Sequence, residues 1–290
     1  MSAATTPAPV AEREPDDQAD RRPRPIHDTW VIAKRGIRHM RRQPEALADA
    51  TIQPIMFVLL FAYVFGGAIS VPGAENDPGA YREFLMGGIF AQTLSFGLFG
   101  VALALAADFN NGAMDRFRSL PIARGSVLAG HALANLIRAA IPITLMSLTG
   151  LIVGWQPRGS VLDTISAYAL MFAFTFAMIW IGVLLASIVR TPEAVQGVAF
   201  VAVFPLTFVA STFVPTSTLP GILRTFAEWN PVSAVANGLR QLFNNPGTVN
   251  PADAPWPVHH PVAYTLIWTA LIIVVCAPLA IRAYRGSVTD

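Results

Sequence analysis

From residue 51 onward the chain alternates long apolar runs with short polar stretches. Six runs stand out, at residues 51–70, 84–107, 127–154, 161–188, 195–214 and 261–281. Each reaches the ~20 residues needed to cross a hydrocarbon layer about 30 Å thick. An open strand edge would leave backbone groups unpaired in lipid, so all six are expected to be α-helices. The third exceeds a minimal span and carries His131 and Arg138, which places its start in the interface. Phe204-Pro205 is expected to kink the fifth, because proline removes a helix hydrogen bond.

Upstream the period changes. Ile26, Trp30, Ala33, Ile37 and Met40 recur at helical spacing, with Lys34, Arg35, Arg38, Arg41 and Arg42 on a neighbouring face. This predicts a basic amphipathic helix over 26–43, too charged to cross the membrane and suited to its headgroup plane. Trp30, Lys34, Arg35 and Arg38 are its interfacial contacts, and Pro44 ends it. A solvated basic linker is the alternative. Residues 1–25 hold almost no large apolar side chain and are expected to form a disordered cytoplasmic tail. No short apolar core with a cleavage site precedes residue 51, so no signal peptide is expected.

The connection 215–260 is the longest and is patterned. Ile222, Leu223, Phe226 and Trp229 follow a Leu-Pro-Gly start. Asn230-Pro231 then supplies an N-cap with proline at the first helical position. Val232, Val235, Leu239 and Leu242 continue at helical spacing. Two short helices are expected over 219–242, as a hairpin re-entering the outer leaflet where protein covers it. A surface loop with a helical turn is the alternative.

Composition agrees with a membrane protein. The 290 residues are 53% hydrophobic and 13% charged, about half the charge of a soluble domain. Soluble enzymes, nucleic-acid binders and disulfide-stapled secreted domains are thereby excluded. Residues 1–49 hold 17 of the 38 charged residues. Lys and Arg fall fifteen to four between the two sides of a six-span arrangement, Arg138 set aside, which predicts cytoplasmic N- and C-termini. The four are Arg82, Arg158, Arg224 and Arg240. Cys276 is the lone cysteine, in an apolar run, and reads as a small buried side chain.

Candidate chemistry is sparse. Lys34 is the only lysine and no G-x-x-x-x-G-K-[ST] surrounds it, so the chain has no ATP-binding loop of its own. His259 and His260 are adjacent in an outer loop with no third ligand at metal spacing, and no metal or catalytic residue is assigned. Arg138 is the charge expected deep in the membrane, paired with a carboxylate such as Asp108 or reaching headgroups. Gly87, Ala91 and Ser95 form a small-residue stripe that suits close helix packing. Phe172, Phe176 and Trp180 form an aromatic stripe facing lipid or neighbouring helices. Phe61, Phe204 and Phe208 are candidates for lining a substrate path. In the cytoplasmic stretch 108–124, Met114, Phe117 and Leu120 recur every three residues beside Arg116 and Arg118, and Pro121 stops the short helix. It reads as a docking element.

That stretch carries a family resemblance. Met114-Asp115-Arg116-Phe117-Arg118-Ser119-Leu120-Pro121-Ile122 resembles the first cytoplasmic loop of type-2 ABC exporter permeases, nearest the daunorubicin/doxorubicin-resistance membrane subunits. Phe65-Gly66-Gly67-Ala68, Val189-Arg190-Thr191-Pro192, Phe204-Pro205-Leu206-Thr207, Asn230-Pro231-Val232-Ser233 and Leu239-Arg240 follow in family order, covering roughly 28–285. The resemblance implies an all-α permease domain over 51–285, with six transmembrane helices, the interfacial helix and the outer hairpin. It implies a coupling helix at about 114–121, in which Asp115 joins the residues just named. Many members carry a Glu near the start of this loop, where this chain has Asp108 and Asp115.

The implied partners are two ABC ATPase subunits, which bind ATP and Mg, and a second permease copy or paralogue. The implied role is efflux of hydrophobic or amphipathic drugs across a bacterial cytoplasmic membrane. Export of a lipid or lipid-linked glycan is the alternative within the class. A secondary transporter would show inverted repeats and midplane charges, and an intramembrane enzyme would show a catalytic constellation.

Overall fold

The computed structural model describes residues 24–41, 44–65, 79–112, 124–189, 191–216, 219–247 and 254–286, with Ile69, Val71, Ala74 and Asp77 between. All regular structure among them is helical. The tail 1–23 and the stretch 113–123 lie outside the described residues.

The order is α1 (Pro25–Arg41), α2 (Pro44–Leu60) running into a π-helical turn (Phe61–Phe65), α3 (Ala80–Asn110), α4 (Arg124–Val153), α5 (Val161–Val189) and α6 (Pro192–Phe208). Then come α7 (Gly221–Trp229), α8 (Pro231–Phe243), the single turn α9 (Trp256–His259) and α10 (Pro261–Gly286). Four of these are long and apolar enough to cross a membrane: α3, α4, α5 and α10. The expected first and fifth runs appear as shorter apolar helices, Thr51–Phe65 and Pro192–Phe208.

The fifth run ends six residues early for a visible reason. Pro205 cannot donate to the helix ladder, and Val209 closes the last turn by donating to Pro205 O at 3.0 Å. Residues 211–213 then leave the helix because α8 offers them other partners, among them Ser233 Oγ, which accepts from Ser211 N at 2.8 Å. Pro205 itself lies inside α6, which continues through it to Phe208. The first run changes pitch instead, and its last turn, Phe61–Phe65, is the π-helical one. Such turns are rare and often sit at functional positions.

α3 and α5 form the centre and pack along one another, with α10 against α5 and α8 against α3, α5 and α10. Gly182 permits the α3–α5 approach, since a Cβ there would lie 2.7 Å from Val101 Cγ1. The small-residue stripe serves packing within the chain. Gly87 faces α8, Ala91 is fully buried, and Ser95 Oγ donates to Ala91 O at 2.8 Å. Buried apolar side chains fall in two groups. One, at the hairpin end, joins Tyr81, Phe84, Phe90, Trp155 and Phe243. The other, at the α1 end, joins Ile32, Leu105, Val127, Val183 and Tyr284.

α1 lies against α4. Its docked face is Ile32, Ala33 and Gly36, and a Cβ on Gly130 would come 2.6 Å from Ile32 Cβ. Ser126 Oγ adds a hydrogen bond to Pro25 O at 3.0 Å. Of the expected apolar face, Ala33 is taken up by this contact. Ile26 and Trp30 are exposed beside the basic sector of Lys34, Arg35 and Arg38, so the helix has a protein face, an apolar edge and a basic edge.

The two short helices over 219–242 are present as α7 and α8. Asn230 caps α8 as the sequence indicates: its Oδ1 accepts from Val232 N at 2.8 Å, and Pro231 follows. The arms differ in burial. Along α8, Val232, Val235, Ala236, Leu239 and Phe243 are enclosed. On α7, Ile222, Leu223, Phe226 and Trp229 are exposed.

Candidate transport surface

The three phenylalanines expected to line a path fall on one surface. On α6, Phe200, Phe204 and Phe208 follow at intervals of four and stack successively, with centroids 4.9 and 4.1 Å apart. From the first run, Phe57 meets Phe61 edge-on at 6.1 Å, and Phe61 stacks on Phe65 at 5.1 Å. Phe213 joins the two sets. Its ring stacks on Phe61 at 4.4 Å with planes 15° apart, and lies 5.8 Å from Phe208. Phe200, Phe204, Phe208 and Phe65 remain more than a third exposed, whereas Phe213 is buried. A continuous strip of aromatic faces thus runs along one side, open to whatever covers α2 and α6. Phe213 was not singled out by sequence pattern, because it follows the end of the α6 repeat.

Below Phe213 sits the most constrained charge in the described chain. Arg240 on α8 is fully buried. Its Nε donates to Phe84 O at 2.8 Å, Nη1 to Asn237 Oδ1 at 2.7 Å and Ser211 Oγ at 3.0 Å, and Nη2 to Ser211 O at 2.7 Å and Thr212 O at 3.4 Å. The guanidinium also covers the Phe84 ring, 3.6 Å from its centroid. No carboxylate pairs with it among the described residues. Taking a guanidinium out of water costs several kcal/mol unless its donors are satisfied, and here neutral oxygens and a ring face do that work. Gly87 leaves room for the side chain, since a Cβ there would lie 2.8 Å from Arg240 Cγ. Arg240 is thus enclosed within the hairpin packing and not displayed on an exposed loop, while Arg138 is half-buried. The signal available in sequence for Arg240 was its place on the apolar face of α8, one residue after Leu239.

The other predicted outer arginines are also engaged. Arg158 pairs with the buried Glu83 at 2.8 Å, Arg224 with Glu228 at 2.7 Å, and Arg82 Nη1 donates to Val153 O at 3.2 Å. Trp155 Nε1 donates to Asn245 Oδ1 at 2.8 Å, tying the end of α4 to the end of α8.

At the opposite end, Asp108 Oδ2 lies 3.4 Å from His131 Nε2, so Asp108 faces the α4 histidine. The Arg138 side chain runs beside α3, where a Cβ on Gly100 would lie 4.0 Å from Nη1. The Asp108–His131 contact brings together the two helices that flank residues 113–123. Met114, Asp115, Arg116, Phe117, Arg118, Leu120 and Pro121 lie outside the described residues. Phe176 and Trp180 meet edge-on at 6.2 Å within the α1-end packing. Cys276 is half-buried.

Four helices long and apolar enough to cross a membrane, with exposed apolar faces, mark a multi-pass membrane protein. Comparison with known proteins makes the class specific. The profile of the ABC-2 type transporter family matches residues 27–244, and the chain belongs to that family. It is a transport subunit without an ATPase domain; in this family ATP is bound by partner subunits. It is 30% identical over 268 residues to the "Daunorubicin resistance ABC transporter permease protein DrrB1" of Streptomyces coeruleorubidus, covering 91% of this chain and 89% of the relative. The "Probable doxorubicin resistance ABC transporter permease protein DrrC" of Mycobacterium tuberculosis is 28% identical over 263 residues, 90% of each. The "Putative transport permease ycf38" of Cyanophora paradoxa is 26% identical over 226 residues, 76% of this chain and 75% of the relative.

Proposed function

We propose that the chain is the permease of an exporter for hydrophobic or amphipathic aromatic compounds, in a bacterial cytoplasmic membrane, and that drug efflux is its role. The observation that carries this reading is the exposed strip of Phe65, Phe200, Phe204 and Phe208, continued inward by Phe213 and Phe61. Aromatic faces that are half-exposed in one chain can stack on a planar substrate and be shielded by a second permease copy, with which this chain pairs. Two ATPase subunits dock on the cytoplasmic loop, and their closure drives the cycle. Drug-resistance permeases stand among the relatives.

The deciding measurement is uptake into vesicles containing the permease and its ATPase partner. A planar aromatic amphiphile should be transported with ATP, and Phe204→Ala or Phe208→Ala should raise its KM roughly tenfold, as expected for losing one aromatic contact. Transport of lipid or lipid-linked glycan alone, insensitive to both substitutions, would make lipid export the function.

Topology completes the reading: six spans, with Thr51–Phe65 and Pro192–Phe208 as the shorter crossings, cytoplasmic termini, and α7–α8 re-entering the outer leaflet. The basic asymmetry, fifteen to three once the enclosed Arg240 is set aside, supports the orientation. Apolar exposure on α7 supports contact with lipid. In a Cys276→Ser background, Asn76→Cys should label from outside intact cells and Ser119→Cys should not. Ile222→Cys and Phe226→Cys should resist water-soluble maleimides yet react with lipid-soluble ones. Fast aqueous labelling at both α7 positions would make the hairpin a surface element, and outside labelling at residue 119 would invert the topology.

A further inference from the structure

We infer that Arg240 is a positioning residue for transport, holding Phe213 in the place where it joins the aromatic faces of α2 and α6. The inference rests on the role proposed above for that surface, but its geometric part stands by itself. Residues 211–213 have left helix α6, so their backbone groups need partners elsewhere. Arg240 Nη2 donates to Ser211 O and Thr212 O, and Tyr81 Oη donates to Phe213 O at 3.3 Å. Ser233 Oγ accepts from Ser211 N, and Thr212 Oγ1 donates back to Thr207 O at 2.9 Å. Three consecutive carbonyls are therefore held by side chains of α8 and α3, two of them by one guanidinium.

The same guanidinium is fixed from the other side. Nε is bound to Phe84 O of α3, and Nη1 is oriented by Asn237 Oδ1 one turn earlier on α8. A planar fork with five donors can bridge α3, α8 and the turn after α6 at once. Lysine keeps the charge but cannot span these acceptors with one geometry. The turn would then lose the partner of its carbonyls, and Phe213, directly after them, would lose its fixed stacking on Phe61. Any movement of the hairpin would likewise pass to the aromatic strip through Arg240.

Disulfide formation between Phe61→Cys and Phe213→Cys in a Cys276→Ser chain reads this geometry without reference to transport. The two rings stack with centroids 4.4 Å apart, so these side chains face one another, and closure is read against the parent pair, under oxidant or through a short bis-thiosulfonate linker. Arg240→Lys should slow closure about tenfold, the scale of one lost charge-assisted hydrogen bond. Asn237→Ala, which retains the arginine and removes only the acceptor orienting Nη1, should slow it about threefold. If Arg240→Lys yields no folded permease, Asn237→Ala alone decides. Closure at the parent rate in whichever folded variants are obtained overturns the inference.

Transport supplies the second arm, measured with a planar aromatic amphiphile and the intact permease–ATPase complex. Arg240→Lys should raise KM with maximal rate little changed, and should add nothing in a Phe213→Ala background, because both changes remove the same ring contact. Additive losses overturn the positioning role. A slowed cross-link together with normal transport by Phe213→Ala and Phe61→Ala would instead refute the transport role of the aromatic surface and leave the geometric anchor intact.

Discussion

Gly88→Ala should destabilise the permease by about 3 kcal/mol or more, the upper range for overpacking a rigid interior. Helix propensity alone points the other way, since alanine is favoured over glycine in a helix by about 1 kcal/mol. The difference is the neighbour. A Cβ on Gly88 would lie 2.7 Å from Thr212 Cα and closer still to that residue's carbonyl. Backbone cannot rotate away as a flexible side chain can. Gly197 of α6 is the matched control, because nothing lies within 4 Å of a Cβ there and Gly197→Ala should be neutral or stabilising. Thermal unfolding in detergent, followed by size-exclusion recovery after graded heating, compares the two. Equal midpoints would mean that α3 and the turn after α6 are not packed as described. Since Thr212 O also accepts from Arg240, the crowded variant should additionally loosen the aromatic strip.

The helical plan was legible because apolar runs and caps are local signals. Asn230-Pro231 announced the start of α8, and Pro44 stands at the start of α2. What escaped were features created by contact. Past the end of α6, residues 211–213 take partners that α8 supplies, so hydropathy alone extended the run too far. Trp30 sits with apolar neighbours on a helical wheel, yet α1 docks through Ile32, Ala33 and Gly36, because small side chains allow the close approach to Gly130. Counting arginines by loop treated Arg240 as a loop charge, although it is fully enclosed, 0% exposed. A buried arginine without a carboxylate has no composition signal; its acceptors are backbone carbonyls, which every residue carries. The candidate path was partly visible, as Phe61, Phe204 and Phe208, while Phe213, which joins them, required the tertiary fold.

Phe117→Ala should weaken association with the ATPase about thirtyfold, corresponding to a loss of about 2 kcal/mol at one hot spot. The motivation is the sequence of the loop, where Met114, Phe117 and Leu120 recur every three residues beside Arg116 and Arg118. Its setting strengthens the case. The helices on either side are joined by Asp108 and His131 at 3.4 Å, and α4 is further held by α1 through Ile32 and Gly130. A force applied between α3 and α4 therefore enters the helices that carry both packed groups of the core. An aromatic anchor buried in a partner groove concentrates binding energy, and an arginine beside it adds directional hydrogen bonds. Arg116→Glu should act in the same direction by placing a desolvated charge of the wrong sign at the contact. Neither change touches an apolar run, so membrane insertion and permease level should be unaltered. Copurification of the ATPase and substrate-stimulated ATP hydrolysis, at matched permease levels, give the readout. Unchanged stimulation in both variants would reduce the loop to a connector and move the coupling contact elsewhere on the cytoplasmic face. Loss of stimulation with insertion intact is the expected result, because the residues proposed to meet the ATPase lie outside the apolar runs.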